Sequence, residues 1–302
     1  MQRERNGALW GIGAYVIWGV MPIYWKVLGH VGSFEILVSR IIWASVLTTL
    51  LVVFMRNGRN LISDFRTLWQ SKRQFWSLFF ASTLMSGNWF LYIWAVNHGH
   101  IIQTSLGYYI NPLVSVLLGI FFLKERLSYS QQVAFLLATV GVVILTFSYG
   151  HVPWLSLALA ISFAVYGLVK KQIQLDAIRG LAIETLFILP FAMVAYGWLF
   201  FHSPTAFLQV DVKTDILLVL TGVATGLPLI LFVKGAQTMP LYMVGFLQYI
   251  APTLMLIIGV SIYGEKFESI DLLSFSFIWA ALILFAVSKI AEVIQQKKAA
   301  TH

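Results

Sequence analysis

Two charged side chains, Arg40 and Glu184, lie inside long apolar stretches of this 302-residue chain. A charge at the centre of a membrane-spanning helix costs about 2.5–3.5 kcal/mol on insertion scales, so each side chain is expected to face a bundle interior. There Arg40 could attract a substrate carboxylate, and Glu184 could carry a coupling proton. Their places along the chain predict depths that differ by about 14 Å, which favours two ends of one polar path over a direct ion pair. The alternative for each is that it reaches the nearer headgroup layer.

A second group of candidate side chains is uncharged and lies in three of the apolar stretches. Amides and aromatic rings around one pocket are typical of a site for a small amphipathic molecule. The alternative is that the amides only bridge helices and that the rings only pack. The substrate-binding candidates besides Arg40 are Asn88, Trp89, Tyr92, Gln103, Tyr108, Tyr109, Asn111, Gln248 and Tyr249.

Two prolines, Pro112 and Pro252, interrupt apolar stretches at equivalent places. Proline inside a helix lacks an N–H and clashes with the carbonyl four residues earlier, here that of Tyr108 or Gln248. A carbonyl freed at membrane depth needs a partner or a water-filled cavity. We therefore expect both prolines to act in gating, with static kinks as the alternative.

The residue types argue against several other chemistries. The chain has no cysteine and no G-x-x-x-x-G-K-[ST] loop, which excludes thiolate metal sites and gives no sign of a nucleotide-driven pump. His98 and His100 have no carboxylate close in sequence, so they predict no metal site. No nucleophile stands beside a plausible base. We expect no enzymatic activity, no cofactor and no metal.

Membrane-spanning helices must position these side chains. The chain is 59% hydrophobic and 11% charged, against about 25% charged residues in soluble domains. A helix needs about 20 apolar residues to cross the hydrocarbon core. Ten such stretches are present, at 7–27, 34–54, 75–96, 101–123, 130–149, 152–170, 180–201, 215–234, 241–263 and 271–290.

The basic residues predict the orientation of these spans, because cytoplasmic loops retain Lys and Arg. With the N-terminus inside, sixteen of the twenty basic residues fall on the cytoplasmic side, Lys170 among them, and three on the other; Arg40 lies within a span. Most of the net charge of +8 therefore faces anionic lipid, and we expect no nucleic-acid partner. The stretch 56–74 is either an amphipathic helix on the membrane or a solvated basic connector.

A repeat explains the paired prolines. Residues 105–125 align with 245–265 without a gap, so Pro112 falls on Pro252 and Glu125 on Glu265. Each half then holds five spans, and an odd number places the second half in the opposite direction. The predicted fold is an all-α integral membrane protein of ten transmembrane helices in two inverted five-helix repeats, 7–149 and 152–290. Secondary transporters are commonly built this way, with the substrate site between the halves.

Several motifs resemble one known family, the drug/metabolite transporter superfamily with two EamA-type halves, and within it the RarD type, the chloramphenicol-sensitive protein permeases. They are YVIWGVMPIYWK near Tyr15, NWFLYIWAV at Asn88, SLGYYINPL at Ser105, AVYGLVKK at Ala164, ET at Glu184, TGLPL at Thr225 and GFLQYIAPT at Gly245. The resemblance implies ten helices, cytoplasmic termini and export-type permease activity in the bacterial inner membrane. It implies no particular substrate.

Together these features predict a secondary-active permease that exports a small amphipathic metabolite or drug by alternating access. Its expected partners are a small-molecule substrate and the lipid bilayer, with a proton as the candidate coupling ion. One alternative is an uncoupled facilitator or importer of small metabolites. Another is a membrane assembly subunit or homo-oligomer, suggested by the G-x-x-x-G pattern from Gly7 to Gly11.

Overall fold

The computed structural model describes residues 2–97, 101–148, 154–173, 175–264 and 267–299, all in helices and connecting turns. His98, His100 and Glu265 lie outside the described residues, as does the side chain of Gln103. The helices are α1 (Gln2–Val27), α2 (Ser33–Phe54), α3 (Gly58–Gln70), α4 (Lys72–Asn97), α5 (Ile101–Leu123), α6 (Tyr129–Ser148), α7 (Trp154–Gln172), α8 (Ala177–His202), α9 (Val212–Thr238), α10 (Leu241–Gln248), α11 (Ile250–Tyr263) and α12 (Ser269–Ala299).

The expectation of an all-α integral membrane fold is confirmed. Within the described part of the chain, nine candidate spans are long and apolar enough to cross a membrane, with α10 and α11 together forming one of them. Among the described residues, the one predicted span without such a candidate is the third, α4, which has 26 residues and is about 39 Å long at 1.5 Å per residue. It is absent from the nine candidates. Because its sequence opens with Lys-Arg-Gln and has Ser-Gly-Asn at its middle, it is less apolar, and the count of ten spans stays a prediction.

Side-chain caps and a left-handed glycine set several helix ends. Asp176 accepts hydrogen bonds from the backbone N–H groups of Ile178 and Arg179, both at 3.1 Å, and so caps α8. Asp211 caps α9 by accepting from Thr214 N–H at 2.6 Å, and that bond lowers the pKa of its carboxyl. Gly264 follows α11 with φ of 65°, a conformation that glycine adopts without steric cost.

The stretch 56–74 contains a short helix, α3, which is packed against the bundle. Leu68 is fully buried, and Phe65 contacts Phe187 of α8 with ring centroids 6.3 Å apart. Asp64 accepts from Nε of Arg179 at 2.5 Å. Because Trp69 on this helix stays largely exposed, α3 offers an aromatic surface beside the membrane-spanning bundle, as the amphipathic reading of this stretch expects.

The ninth predicted span is broken, whereas its repeat counterpart is continuous. Helix α10 ends at Gln248, four residues before Pro252, and α11 begins at Ile250, two residues before it. Pro252 has no N–H to donate to Gln248, so the regular hydrogen bond across the break cannot form. Helix α5 passes through Pro112 without interruption. The two prolines therefore occupy equivalent sequence positions but different local structures.

The packing of the helices follows a pairwise pattern. Helix α5 packs on α7, and α10 and α11 pack on α1; α4 contacts α7 and α8, and α9 contacts α1 and α2. Suppose that each helix is replaced by its counterpart in the other predicted repeat, 7–149 or 152–290. The contact of α5 with α7 then becomes that of α10 and α11 with α1, and the contacts of α4 with α7 and α8 become those of α9 with α1 and α2. The other large contacts join a helix to its own counterpart in the other predicted repeat: α6 to α12, α2 to α8 and α5 to α10. Such a pattern is the one that a pseudo-two-fold axis between two repeats would produce.

The G-x-x-x-G pattern serves a contact within the chain. A Cβ on Gly7 would meet the side chain of Thr238 and lie 3.5 Å from the carbonyl oxygen of Gly235, and one on Gly11 would lie 2.9 Å from the Met239 methyl group. These residues bring α1 and α9 close together. The pattern is thus accounted for without a partner chain.

Candidate functional site

A cavity of about 100 Å³ lies among eight helices. Its walls come from α1, α2, α4, α5, α7, α9, α10 and α11. Its lining residues are Tyr15, Trp18, Met21, Pro22, Trp25, Arg40, Met85, Asn88, Trp89, Tyr92, Gly107, Tyr108, Asn111, Leu159, Phe163, Ala224, Thr225, Leu229, Gln248, Ala251, Pro252 and Met255. The wall is thus largely aromatic and apolar, with one cation and three amides.

Arg40 supplies the only charge in this wall, as far as the described residues go. Its side chain is 8% exposed, and its Nε donates to Oγ1 of Thr225 at 3.0 Å. Its Cζ lies 4.8 Å from the ring centroid of Trp25 and 4.9 Å from that of Trp89. Rings at these distances stabilise a guanidinium through cation–π attraction, more so where water is excluded. Arg40 therefore faces the cavity rather than the headgroup layer.

The amides of the cavity wall also join helices. Asn88 donates from Nδ2 to the Leu159 carbonyl at 2.9 Å and to Oγ of Ser162 at 2.7 Å, which ties α4 to α7. The hydroxyl of Ser115 lies 3.2 Å from Oδ1 of Asn111 and 3.1 Å from Oε1 of Gln248, so its single hydrogen serves one amide at a time. The second contact joins α5 to α10. The amides therefore fit both predicted roles. All three line the cavity, and Asn88 and Gln248 also bridge helices.

Aromatic rings form two sides of the cavity. Tyr92 and Tyr108 meet edge to face, with centroids 5.7 Å apart, between α4 and α5. Trp18 of α1 and Phe163 of α7 meet edge to face at 5.6 Å, and both contact Phe232 of α9. Such pairs hold rings in a fixed geometry, which gives the cavity rigid apolar walls.

Two predicted site residues, Tyr109 and Tyr249, are packed in an apolar cluster with α6 and α12 and do not line the cavity. The Tyr109 hydroxyl donates to the Pro252 carbonyl at 3.3 Å. The Tyr249 hydroxyl is buried with no hydrogen-bond partner among the described residues. Of the two candidate gating residues, Pro252 lines the cavity and Pro112 does not.

Glu184 has a buried partner that the sequence does not reveal. Nζ of Lys170 forms an ion pair with Oε1 of Glu184, and the two side chains are 0% and 5% exposed. The Tyr166 hydroxyl donates to Oε2 at 3.1 Å. Lys170, counted above with the basic residues of the predicted cytoplasmic side, is therefore not a loop residue but lies buried in the last turn of α7. Glu184 does not line the Arg40 cavity, and each charge has its own partners.

A small void of about 20 Å³ lies beside Glu184. It shares Met85, Trp89 and Leu229 with the wall of the main cavity. About 10–15 Å³ by this measure holds one water molecule where polar groups are available, and the side chains of Glu184, Thr185 and Tyr166 line the void. Three side chains thus line both the Arg40 cavity and the void beside Glu184.

A set of polar contacts joins helix ends on the predicted cytoplasmic side. Glu125 accepts from the backbone N–H groups of Leu241 at 2.7 Å and of Tyr242 at 2.9 Å, at the start of α10. Lys171 donates to the Met239 carbonyl at 2.5 Å, and its Nζ lies 3.6 Å from Oε1 of Glu125. These contacts, which we call the Glu125 closure, cross between the predicted halves.

Several lining residues were missed from the sequence. Trp18 and Trp25 were not among the predicted site residues, although they stand in the YVIWGVMPIYWK motif. Thr225, in the TGLPL motif, is a polar residue inside an apolar run and could have been found by the reasoning used for Asn88. Nothing in the sequence indicates that Phe163 lines a cavity, because a phenylalanine in a span is equally expected to face lipid.

The comparisons with known proteins agree with this architecture. The model of the EamA-like transporter family matches residues 5–147. An uncharacterized transporter of Bacillus subtilis (strain 168), YojE, is 47% identical over 288 residues, which make up 95% of each protein. The protein RarD of Escherichia coli (strain K12) is 39% identical over 290 residues, 96% of each. One crystal structure has a TM-score of 0.70 at 17% identity, with 93% of this chain and 97% of that chain covered, a likeness in fold alone.

Proposed function

Because this chain belongs to the EamA-like transporter family and resembles its RarD-type members, we propose that it exports a small amphipathic molecule across the bacterial inner membrane by alternating access. The observation that carries the proposal is the cavity, whose walls come from both predicted repeats. Substrate sites of secondary transporters are typically built at such a repeat interface. We place both termini in the cytoplasm, in line with the distribution of basic residues.

The position of the cavity along the helices supports one access state. The Glu125 closure and the Lys170–Glu184 pair lie near the predicted cytoplasmic ends of α5 and α7. The lining residues of α1 and α2 lie toward the predicted outer ends, as Trp25 and Arg40 do. These positions support our proposal of an outward-facing state whose cytoplasmic end is closed by polar contacts.

Coupling to protons, if it occurs through Glu184, requires the ion pair with Lys170 to separate. Lys170 engages one oxygen of the carboxylate and Tyr166 the other, so these contacts must open before water can exchange a proton with it. A rearrangement of α7 against α8 during the cycle would provide that movement. The small void gives water a place beside the carboxylate.

Uncoupled transport is the second candidate, and one observation favours it. Lys170 already neutralises Glu184, so the pair has no need of a proton to be stable in the bundle. An importer would use the same cavity in the reverse direction.

Uptake into everted vesicles tests the proposal. Vesicles from cells that overproduce the protein would be given a uniformly labelled small-metabolite extract, with and without a pH gradient, and the captured compounds identified by mass spectrometry. We expect Ala224→Trp, which fills the cavity, to abolish the protein-dependent uptake. Leu227→Trp on the exposed face of the same helix is the matched control and should retain it.

Equal uptake by the wild type and the Ala224→Trp variant would overturn the assignment of the cavity. Loss of uptake when the gradient is collapsed would favour coupling, and unchanged uptake would favour the facilitator. Compounds that accumulate only in right-side-out vesicles would favour an importer.

A further inference from the structure

The cavity holds a cation whose charge has no counterion among the described residues. The ion pairs found in the described part of the chain are Lys170 with Glu184, Lys171 with Glu125 and Arg179 with Asp64. Arg40 is in none of them, and no carboxylate lines the cavity. Burying an uncompensated charge is costly, so such a group calls for an explanation in function or in packing.

The acidic residues that could have neutralised Arg40 are committed elsewhere. Glu184 is held by Lys170 and Tyr166. Glu35, five residues before Arg40 on α2, accepts from the backbone N–H groups of Ala206 and Phe207 at 2.9 Å. Each of these contacts satisfies a carboxylate within the protein. The counterion of Arg40 must therefore come from outside the described part of the chain.

The surroundings of the guanidinium leave it able to bind an anion. Trp25 and Trp89 lie within 5 Å of Cζ, and Nε is bonded to Thr225. Neither terminal nitrogen has a hydrogen-bond partner among the described residues, although arginine offers four N–H groups there. Planar guanidinium groups bind carboxylates through two parallel N–H···O bonds, and the contact with Thr225 fixes the orientation of this one.

We propose that the transported molecule is a small organic anion whose carboxylate binds the terminal nitrogens of Arg40. This inference rests on the proposed function and names the substrate class of the same cavity. The apolar part of the molecule contacts Trp18, Phe163 and Met85, and the amides of Asn111 and Gln248 orient any further polar group. Arg40 thus sets the charge that the site accepts.

The volume of the cavity limits the size of the anion. One water molecule needs about 10–15 Å³ by this measure, so a cavity of about 100 Å³ holds roughly seven to ten non-hydrogen atoms. A monocarboxylate with one ring, such as benzoate or cyclohexanecarboxylate, is of that size. Larger amphipathic drugs would require the walls to move.

Export of an anion also has an energetic consequence. A bacterial membrane is negative inside, so outward movement of one negative charge is driven by the potential, by roughly 50-fold in concentration per 100 mV. Such transport needs no coupled proton.

Binding to the purified full-length protein in detergent tests the inference without requiring transport. Benzoate and cyclohexanecarboxylate would be compared with their uncharged amides and with benzylamine, by the ligand concentration that half-maximally raises the melting temperature. We expect the carboxylates to bind at least tenfold more tightly than the amides, and the amine to have no effect. This comparison uses the wild-type protein, so it does not depend on a variant that folds.

Two variants add a direct test of the residue. Arg40→Gln should lose the preference for carboxylate over amide, whereas Arg126→Gln, at an exposed loop position, should keep it. Equal binding of carboxylates and amides, binding of neither, or a preference that survives in Arg40→Gln would each overturn the inference. Selective binding without uptake into vesicles would instead count against the proposed transport. Uptake of neutral or cationic compounds alone would support transport and overturn the anion site.

Discussion

The two cations inside the bundle, Lys170 and Arg40, are accommodated in different ways. Lys170 is fully buried and paired with Glu184, so the pair carries no net charge. Arg40 has aromatic faces and one hydroxyl around it but no acidic partner among the described residues. A site that must change its charge state during a cycle is better served by the second arrangement, because an arriving anion completes it.

A double-mutant cycle on the Lys170–Glu184 pair measures its part in stability. Removal of one partner leaves an uncompensated buried charge, so Lys170→Met and Glu184→Leu should each lower the free energy of unfolding by about 3–5 kcal/mol. The double variant should lose less than either single one, since no charge remains unpaired. Titration with a denaturing detergent, followed by circular dichroism, gives the three values. Additive losses would contradict a direct interaction.

The same pair separates structural from coupling roles of Glu184. If Glu184 carries a proton, Glu184→Gln should abolish gradient-driven transport and leave the exchange of preloaded substrate intact. Equal loss of both activities, in a variant that is still inserted at the wild-type level, would assign Glu184 to structure. Unchanged transport of both kinds would agree with the uncoupled anion carrier.

The charged residues also show what a sequence can reveal at this scale. Arg40 and Glu184 were identifiable because a charge in an apolar run is rare. Lys170 was not, since it stands next to Lys171 at the end of an apolar run, where a loop residue looks the same. Its pairing with Glu184 depends on the turn between α7 and α8, whose geometry a pattern of residue types does not fix.

Among the helices, the break between α10 and α11 makes the ninth predicted span differ from the fourth, α5, its counterpart in the repeat. Their shared proline predicted equal behaviour, but α5 remains continuous. A difference in packing accompanies the break, because Gly245 of α10 approaches the Pro112 carbonyl so closely that a Cβ there would lie 2.7 Å from it. The sequence therefore predicted most helix limits to within a few residues but could not distinguish the two prolines, whose surroundings are tertiary.

The two prolines should bias the access states unequally. Pro252→Ala restores the donor for the Gln248 carbonyl, so α10 and α11 can join, and one hydrogen bond is worth about 0.5–1.5 kcal/mol. Because Pro252 lines the cavity, we expect the outward accessibility of a cysteine placed at Met21 to change by about two- to tenfold. Pro112→Ala, in a continuous helix, should change it less or in the opposite direction.

Labelling with an impermeant maleimide on intact cells provides the measurement, since the chain has no other cysteine. Opposite shifts in the two variants would support gates that act in inverse order in the two predicted repeats. Equal shifts in one direction would mean that the shared proline has no gating role.

On the scale of the whole molecule, the cavity and the Glu125 closure occupy different ends of one bundle. The helix contacts of one predicted half match those of the other. The polar contacts at the predicted cytoplasmic end nevertheless give that end a distinct role. A transporter with two equivalent halves can alternate only if such contacts break on one side while others form on the opposite side. The Glu125 closure is therefore expected to control how often the cytoplasmic end opens.

Glu125→Gln tests that role. The carboxylate accepts two backbone N–H groups at the start of α10 and lies close to Lys171, whereas an amide has one acceptor oxygen and no charge. Hydrogen bonds to charged groups are worth about 1.5–3 kcal/mol, so the equilibrium should shift roughly 10- to 100-fold toward a state open to the cytoplasm. A single cysteine at Met255 in the cavity wall should then react faster with an impermeant maleimide in everted vesicles and more slowly in intact cells.

Glu35→Gln is the matched control, because Glu35 also accepts backbone N–H groups across the predicted halves but binds residues 206–207, away from the Glu125 closure. It should leave cytoplasmic labelling of the Met255 cysteine unchanged. If both variants raise that labelling equally, the effect is a general loosening of the bundle. If neither variant changes it, the contacts of Glu125 do not limit opening, and other contacts at that end, such as the Lys170–Glu184 pair and the stacking of Tyr166 on Phe232, are the next to test.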